Sequence, residues 1–509
     1  MLPFLVMVGL FDAGYLAIEH YRNIIPPCSI NSIFTDCGQV LRSPYSTIIG
    51  IPLALLGFIH YSFLLLFIVR ALYRKSNPIY RYLALLQSTF GLIFSIYLVY
   101  LQLVVIHAIC LYCMISAITS LLIFWGVQIE FVRERKRGAI FAIGYLYQNI
   151  VKRILFLGDA QNIHESMTQI GQAGGTVGPA QEVIKYFIYA GTPILKQEIF
   201  GISFNHPVGL AAGFDYEARL TQVLAAWGFG FQTIGTITNE AYAGNAYPIL
   251  GRLPKSRSLL VNKGFKNLGA DVTIDNLEDL TFPIPVGVSI GRTNSPKLST
   301  HKASIQDILA TFEKFEKSNV QHSYYELNIS CPNLFGDINF YSKNNLSELL
   351  TEVDKLNIKR PILMKMPIER TDAEVVQMLD VISKHTPKGV IFGNLQKNRD
   401  QREFDKTEIA NAGVGSFSGK PTSARSNELI RLAYRHFQKR FVIVGCGGIF
   451  NGYDAYEKIV AGATLLQLIT GMIYQGPQLA AEVNLELENQ LRIHGFTHIS
   501  QAIGSKNDK

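Results

Sequence analysis

The chain has 509 residues, of which 48% are hydrophobic and only 17% are charged, and its formal net charge is +8. An average soluble domain carries about 25% charged residues, so this composition excludes a disordered chain, a coiled coil and a simple soluble enzyme. The shortage of charge is uneven, because residues 1–127 contain only nine Asp, Glu, Lys and Arg side chains. No basic arm is interleaved with aromatic side chains, so nucleic acid is not an expected partner.

Four apolar stretches in the first 127 residues are each close to the ~20 residues that a helix needs to cross a bilayer. They predict transmembrane helices over Leu2–Ile18, Ile48–Val69, Tyr82–Ile106 and Leu111–Val127. Basic residues follow the second and fourth stretches: Arg70, Arg74, Lys75, Arg81, Arg133, Arg135, Lys136 and Arg137. Because Lys and Arg favour the cytoplasmic side, we expect the loop Glu19–Thr47 to lie outside and residues after 130 to be cytoplasmic.

Four of the six cysteines lie in this membrane part. Cys28 and Cys37 belong to the outer loop, and Cys110 and Cys113 form a C-x-x-C sequence at the start of the fourth helix. A helix N-terminus favours the thiolate form, so four thiols on the oxidising side indicate thiol–disulfide exchange. The alternative is a pair of structural disulfides that hold the loop.

The spacing of these residues supports a family assignment over roughly residues 8–127. The motifs are Gly14-Tyr15-Leu16, Glu19-His20, Cys28-x8-Cys37-x5-Ser43, Gly50-Ile-Pro52, Gly57 and Cys110-Leu-Tyr-Cys113-x-x-Ser116. Their order resembles the bacterial vitamin K epoxide reductase family. The resemblance implies a four-helix bundle in the bacterial inner membrane that oxidises periplasmic thiols and reduces a quinone.

The resemblance also implies a role for each residue of the motifs. Cys28 and Cys37 would take electrons from a separate thioredoxin-like partner, and Cys37 would pass them to Cys110. Cys113 would face the quinone, and Ser43 would seat the quinone or shape the loop. A bundle that serves only as a membrane anchor and binding module is the alternative.

Residues 131–200 form a predicted helical extension between a membrane domain (1–130) and a large domain (201–509). Arg137–Leu157 and Ala180–Lys196 mix apolar and charged residues at helical spacing, and Gly171–Gly178 is a predicted break. Such amphipathic helices can lie on a bilayer and admit a lipid-soluble molecule. They can equally pack as a linker on the next domain, and periodicity alone does not separate the two.

Eight short apolar segments in the large domain alternate with amphipathic helices. The predicted strands are Val208–Ala212, Phe231–Ile234, Pro285–Val288, Tyr325–Asn328, Ile362–Met366, Gly389–Phe392, Phe441–Val444 and Leu465–Leu468. This pattern predicts a (β/α)8 TIM barrel, whose active site lies at the carboxyl ends of the strands. Polar or glycine residues follow nearly every strand: Gly213, Thr236, Ser289, Asn328, Lys365, Asn394, Gly447, Gly448 and Thr470.

Two groups of these residues indicate chemistry. Glycines near Gly447-Gly448, Thr470-Gly471 and Gly419 are typical of turns whose N–H groups bind phosphate, which favours a phosphate-bearing cofactor. Cys331 lies between Asn328 and Asn333, and a thiol held between amides can remove a proton from a bound substrate. The alternative is a buried cysteine in a turn. No Cys/His cluster has metal-ligand spacing, so no metal is expected.

The same strand ends carry eight motifs in a diagnostic order. They are Gly209-Leu-Ala-Ala-Gly-Phe-Asp215, Ile234-Gly-Thr236-Ile-Thr238, Asn262-Lys-Gly-Phe265, Asn328-Ile-Ser-Cys-Pro-Asn333, Met364-Lys365, Ser418-Gly-Lys-Pro421, Gly445-Cys-Gly-Gly-Ile449 and Gln467-Leu-Ile-Thr-Gly471. With the preceding Leu157-Gly-Asp-Ala-x-x-x-His164, they resemble quinone-linked dihydroorotate dehydrogenase between about Ile154 and Gly504. The resemblance implies oxidation of dihydroorotate to orotate, with quinone as the electron acceptor.

Site residues follow from this resemblance, position by position. Flavin mononucleotide (FMN) would contact Ala212, Gly213, Thr236, Ser289, Asn328, Lys365, Gly419, Gly447, Gly448, Ile469 and Thr470. The substrate would contact Asn262, Lys263, Gly264, Phe265, Asn328, Asn333 and Asn394. Cys331 would take the substrate proton, and quinone would enter through the segment of about 140–200.

Three positions depart from the pattern of the dehydrogenase family. Tyr216 replaces a lysine that would bridge flavin and substrate carboxylate, so either Lys263 or Lys266 compensates for its charge or the substrate affinity is altered. Cys331 stands where quinone-linked members normally have serine, and Gly393 stands where threonine is usual. The first departure leaves open a barrel that acts on another pyrimidine-like molecule.

Overall fold

The computed structural model describes residues 2–28, 36–73, 78–189, 191–336, 338–437 and 440–507. Contacts divide the chain into two units, Met1–Gly138 and Ala139–Lys509. The expected domain limits after residues 130 and 200 remain predictions. Of the basic residues that set the predicted orientation, Arg74 and Lys75 lie outside the described residues.

The first unit contains four long apolar helices. They are α1 (Leu2–Tyr21), α2 (Leu53–Tyr73), α3 (Ile79–Tyr100, continued by a π-helical turn over Leu101–Ile106) and α4 (Leu111–Glu130). Each is long and apolar enough to cross a membrane. Large apolar side chains point away from the bundle, among them Phe11 and Phe90. Such a surface is unfavourable in water, and the four predicted helices are confirmed.

The predicted start of the second helix is wrong by five residues. Thr47–Ile48 pairs antiparallel with Ile51–Pro52 in a small hairpin, and α2 begins only after it. Gly50 takes a φ of 76° at the turn, which glycine adopts without steric cost. Pro52 lacks an N–H group, so it sits readily just before a helix, where that group would have no acceptor.

Three helices lie between the four apolar helices and the barrel, and the first of them begins in the first unit. Helix α5 (Val132–Leu146) is continued by Tyr147–Val151 and Lys152–Leu155, and α6 (Ala160–Gly175) is followed by α7 (Gly178–Ile188). The predicted break at Gly171–Gly178 is wrong for most of its length. Gly171 and Gly175 lie inside α6, where a Cβ on Gly171 would lie 2.3 Å from Leu220. Glycine here permits close packing.

The rest of the second unit is a closed barrel of eight parallel strands. They are β1 (Val208–Leu210), β2 (Phe231–Ile237), β3 (Val286–Ile290), β4 (Tyr324–Asn328), β5 (Ile362–Met366), β6 (Gly389–Phe392), β7 (Val442–Cys446) and β8 (Leu465–Leu468). Neighbours in sequence are neighbours in the barrel, and β8 pairs with β1. The predicted (β/α)8 fold is confirmed.

Helices return the chain between most strands. The long ones are His301–Lys317, Lys343–Lys355, Asp372–Ile382, Ser423–Phe437, Gly452–Ala461 and Leu479–Ile493, and the short ones are Ala270–Asp275, Lys406–Ala410 and Thr470–Gln475. Side chains cap several N-termini, and Thr371 forms a capping box with Glu374. A three-stranded sheet, Leu250–Leu253, Ser258–Val261 and Ser416–Phe417, lies outside the barrel.

Gly393 follows β6 at a crowded strand end. Its φ is 120°, and a Cβ at this position would lie 1.9 Å from the carbonyl oxygen of Cys446. A threonine therefore cannot be accommodated with this backbone, which explains the departure at this position.

We expect Gly393→Ala to lower the thermal unfolding midpoint of the detergent-solubilised full chain. Strain of this kind costs about 1–3 kcal/mol, or several degrees in a domain of this size. Circular dichroism measures the change. Gly413→Ala is the matched control, because a Cβ there meets open space. Equal midpoints for the two variants would contradict the argument.

Candidate functional site

The carboxyl ends of the barrel strands surround a cavity of about 150 Å³. Its wall includes residues at or just after the ends of seven strands, together with residues of the loop Val261–Lys266 and one residue of α6, His164. Parallel strands bring their carboxyl ends to one face of a barrel, so residues far apart in sequence meet here. The site is therefore assembled by the closure of the sheet.

A hydrogen-bond chain crosses three neighbouring strands at this face. The hydroxyls of Thr236 on β2 and Ser289 on β3 lie 3.0 Å apart, and the Asn328 amide on β4 donates to Thr236 at 2.9 Å. A register irregularity between Ile234 and Ile237 redirects β2 at this point. All three polar side chains are buried, and their mutual bonds fix the orientation of the Asn328 amide.

Lys365 places a buried cation on the opposite side of the barrel from β1. It pairs in register with Asn328, and only 3% of its surface is exposed. Its ammonium donates no hydrogen bond to any described residue, and no Asp or Glu lines the cavity within the described part of the chain. A buried cation without a carboxylate partner favours an anionic ligand.

Glycine-rich turns form another wall. Gly419, Gly447 and Gly448 have φ values of 85°, 87° and 74°, and all three line the cavity. Among the described residues, no acceptor is found for the backbone N–H groups of Gly419, Gly448 and Thr470. Such N–H groups bind phosphate oxygens readily, so this wall fits the phosphate of a flavin nucleotide.

Cys331 lies on the cavity wall after β4. Burial raises the pKa of its thiol to about 11, against a backbone hydrogen bond from Asn333 and the charges of Arg292 and Lys365. The sequence argument that a thiol ionises readily is therefore weaker in the free cavity. Near neutral pH only a small fraction of this thiol is ionised. Its use as a base therefore needs substrate contacts that favour the thiolate, or a higher pH.

The structure brings most of the predicted residues together. Ala212, Gly213, Thr236, Asn328, Lys365, Gly419, Gly447, Gly448, Ile469 and Thr470 line the cavity, as do Lys263, Gly264, Phe265, Cys331, Asn333 and Asn394. Ser289 and Asn262 do not. Ser289 supports Thr236, and the Asn262 side chain accepts a hydrogen bond from Asn245 at 3.0 Å.

Asn245 is a residue that the sequence analysis missed. Its amide donates to Asn262 and to the backbone oxygen of Asn333, both at 3.0 Å, and its own oxygen accepts from Asn294 at 3.1 Å. It thus joins three loops around the cavity. Nothing distinguishes this asparagine in the sequence, because it belongs to a loop without a recognisable motif.

Tyr216 is enclosed by α6 and by two lysines. Its phenol oxygen accepts a hydrogen bond from Gln161 at 2.9 Å, and its ring stacks on His164 with centroids 5.3 Å apart. Burial raises the pKa of Tyr216 to about 12, so the phenol is neutral. The Lys263 ammonium lies 4.3 Å from the ring centroid. Burial, and then the charge of Lys266, lowers the pKa of Lys263 to about 7.

The first unit holds the other four predicted cysteines close together. Cys28 and Cys37 form a disulfide, while Cys110 and Cys113 are thiols whose sulfur atoms lie 2.8 Å apart. All four belong to one apolar cluster. The backbone N–H of Asp36 donates to the Ile109 carbonyl at 3.2 Å and holds the disulfide-bearing loop beside the C-x-x-C pair.

A separate cavity of about 460 Å³ lies inside the first unit. Cys113 and Ser43 line it, in agreement with their predicted nearness to one ligand, and apolar side chains form most of the wall. Asp12 and His60 also line it, and the His60 ring lies 2.9 Å from the Gln87 amide. Ionisable side chains are rare in apolar helices and mark functional sites.

Residues 194–491 match the family model described as dihydroorotate dehydrogenase. The chain belongs to the dihydroorotate dehydrogenase family. It is 33% identical over 352 residues to the dihydroorotate dehydrogenase (quinone) of Corynebacterium diphtheriae, covering 69% of this chain and 95% of that one. The corresponding protein of Christiangramia forsetii is 33% identical over 347 residues and is covered to 98%.

Solved structures of the dehydrogenase family agree with this assignment. The crystal structure of the Eimeria tenella enzyme in complex with ferulenol superposes with a TM-score of 0.60 and 27% sequence identity, covering 69% of this chain and 96% of that one. Residues 1–127 match the model of the vitamin K epoxide reductase family. The predicted fusion of the two families is confirmed.

We expect Cys331 of the ligand-free protein to react slowly with iodoacetamide at pH 8. A pKa near 11 leaves roughly a hundredfold less thiolate than a pKa of 9.0 would, since only the thiolate is nucleophilic. Mass spectrometry of the Cys331 peptide measures the rate, which should still rise between pH 8 and 10. Cys331→Ala identifies the peptide. A rate that levels off below pH 9 would contradict the raised pKa.

Proposed function

We propose that the barrel is an FMN-dependent dehydrogenase that oxidises dihydroorotate to orotate and delivers the electrons to membrane quinone, a step of pyrimidine (UMP) biosynthesis. One observation carries this proposal: a cavity with buried cations, open N–H groups and a central thiol lies at the mouth of a barrel of this family. The two relatives, which are covered over 95% and 98% of their own length, are named dihydroorotate dehydrogenase (quinone).

Different walls of the cavity would hold different parts of the cofactor. Gly419, Gly448 and Thr470 would hold the FMN phosphate through their N–H groups, and Lys365 would lie beside the ring edge where negative charge collects. FMN held here would supply the hydride acceptor for the substrate and the electron carrier to quinone. Thr236 and Ser289 would hold the amide of Asn328 in place.

The substrate would lie between Cys331 and the asparagines. Asn328, Asn333 and Asn394 line the cavity around the thiol and can bind a pyrimidine's carbonyl and N–H groups. The Cys331 thiolate would take the proton that leaves as the hydride departs. The Asn394 amide is held by the Ser330 hydroxyl at 2.6 Å, which orients it in advance.

Quinone would approach through the helices before the barrel. Helices α5 and α6 and the turn between them expose large apolar side chains, among them Phe141, Ile154, Leu157 and Ile170. His164 of α6 reaches the barrel cavity. An exposed apolar surface on helices that also contribute a residue to the cavity wall suits a lipid-soluble acceptor that enters from a bilayer.

A barrel that acts on another pyrimidine-like molecule is the second candidate. Tyr216 favours it, because a neutral phenol cannot pair with a carboxylate as the usual lysine would.

Dihydroorotate should bleach the flavin absorbance of the purified full chain, and added quinone should restore it. Cys331→Ala should lower the rate of bleaching at least about hundredfold, as loss of a general base does, while FMN stays bound. Stopped-flow absorbance measures the rate, and Cys446→Ala serves as a second cysteine variant for comparison. A flavin that dihydroorotate does not reduce would overturn the substrate assignment.

For the first unit, we propose a thiol oxidase that uses the same class of acceptor. A dithiol partner would reduce the Cys28–Cys37 disulfide and be oxidised itself. The Cys37 thiolate would then attack a Cys110–Cys113 disulfide, which re-forms Cys28–Cys37 and leaves Cys110 and Cys113 as the two thiols seen in the structure. These thiols would give two electrons and two protons to quinone and close to a disulfide again. The 2.8 Å contact between the Cys110 and Cys113 sulfur atoms supports this route.

The proposed location follows from charge and chemistry. We place the protein in a bacterial inner membrane as a multi-pass protein, with the four cysteines on the periplasmic side and the barrel in the cytoplasm. Basic residues at Arg70, Arg81 and the run Arg133–Arg137 support this orientation. A separate thioredoxin-like protein would supply the thiols.

Cys113→Ala should abolish quinone-dependent oxidation of a dithiol peptide while dihydroorotate-dependent quinone reduction continues at the wild-type rate. The two rates are measured on the same preparation in detergent with added quinone. Cys331→Ala should show the reverse pattern. Thiol oxidation that survives Cys113→Ala would refute the route.

A further inference from the structure

The barrel cavity contains three lysines, and their surroundings differ. Lys266 forms an ion pair with Glu165 at 2.5 Å, so its charge is already neutralised. Lys365 lies on β5, across the barrel from β1. Lys263 is 8% exposed, and its ammonium forms no ion pair or hydrogen bond within the described residues. Lys263 is therefore the lysine on the β1 side of the cavity whose charge is not already paired with a carboxylate in the described part of the chain.

Lys263 is held in place by an aromatic ring. Its ammonium lies 4.3 Å from the Tyr216 ring centroid, a distance at which a cation is attracted to the ring face. The ring is fixed by stacking on His164 and by the hydrogen bond from Gln161. Tyr216 therefore positions the Lys263 ammonium beside the place where the family's lysine at position 216 would put its own charge.

We infer that Lys263, positioned on the Tyr216 ring, is the cation that binds the carboxylate of the pyrimidine substrate in this chain. The inference rests on the proposed function and names the group that recognises the acid. Tyr216 and Lys263 together replace one long basic side chain, with the charge coming from the loop Val261–Lys266 instead of the end of β1. A neutral tyrosine at position 216 is then compatible with a site that binds a carboxylate.

The electrostatics of the pair agree with an anionic ligand. Burial destabilises the Lys263 ammonium, and the pKa of about 7 leaves it partly neutral in the free cavity. A carboxylate beside it would restore the charged form. The ionisable groups that face it are His164, Glu165, Tyr216, Glu217 and Lys266. His164 has a pKa well below its usual range and Tyr216 a pKa near 12, so neither titrates between pH 7 and 9.

The test is orotate binding to the full-length flavoprotein, followed by the change in flavin absorbance. Lys263→Met should raise the orotate dissociation constant about ten- to hundredfold, the effect of losing a hydrogen bond to a charged group. Uracil, which lacks the carboxylate, should bind both proteins equally. Lys266→Met should change the orotate constant by less than about threefold, because that lysine already has its own carboxylate.

Two further variants separate this role from a structural one. Tyr216→Lys added to Lys263→Met should recover most of the orotate affinity. In the wild type, affinity should fall as pH rises above about 7, because the ammonium is lost, whereas Lys263→Arg should remove this dependence. Lys263→Arg also serves if Lys263→Met fails to fold.

The outcomes distinguish the two proposals. A wild-type flavoprotein that shows no response to orotate would overturn the proposed function, and this inference with it. A wild type that binds orotate, with Lys263→Met equally tight or with Lys266→Met the weaker binder, would overturn the inference alone. A weaker affinity of Lys263→Arg for FMN, with unchanged orotate affinity in the FMN-loaded protein, would assign Lys263 to the cofactor instead.

Discussion

Closure of eight parallel strands is the constraint on which the barrel site depends. Seven strand ends contribute one to five residues each, and no one of these sets could bind a ligand alone. Because β8 pairs with β1, residues from 212 to 470 reach one cavity. The hydrogen-bond chain from Ser289 through Thr236 to Asn328 can form only with these strands in register. Packing of the barrel thus fixes the geometry of its mouth.

Burial of charge without a matching carboxylate is the second governing feature. Lys263 and Lys365 lose hydration, and the cavity wall offers no acidic side chain within the described residues. The free site therefore stores unfavourable electrostatic energy that an anionic ligand relieves. The same enclosure acts against Cys331, whose thiolate is disfavoured for the same reason. A bound ligand alters both the energy of the buried lysines and the ionisation of Cys331, because its own polar groups replace water.

Much of this arrangement was predictable from sequence because buried parallel strands are continuous apolar runs. β5, β6 and β8 match their predicted limits, and of the polar and glycine residues predicted to follow the strands all but Ser289 line the cavity. The prediction failed where packing, and not composition, decides the outcome. Gly171 and Gly175 belong to α6 because close contact with the barrel needs small residues. Asn262 turns toward Asn245, a pairing that depends on two loops meeting in space.

The compensating cation is one example of a feature that the sequence alone could not locate. Sequence identifies Tyr216 as a substitution and leaves Lys263 and Lys266 as equal candidates to replace the charge. Only the fold separates them, because Glu165 lies on α6, about a hundred residues earlier, and pairs with Lys266. The effect of a substitution such as Tyr216 can therefore be judged only when the charged side chains of the neighbouring elements are known. A loop lysine held over an aromatic ring can take the place of a strand-end lysine without any change in the barrel itself.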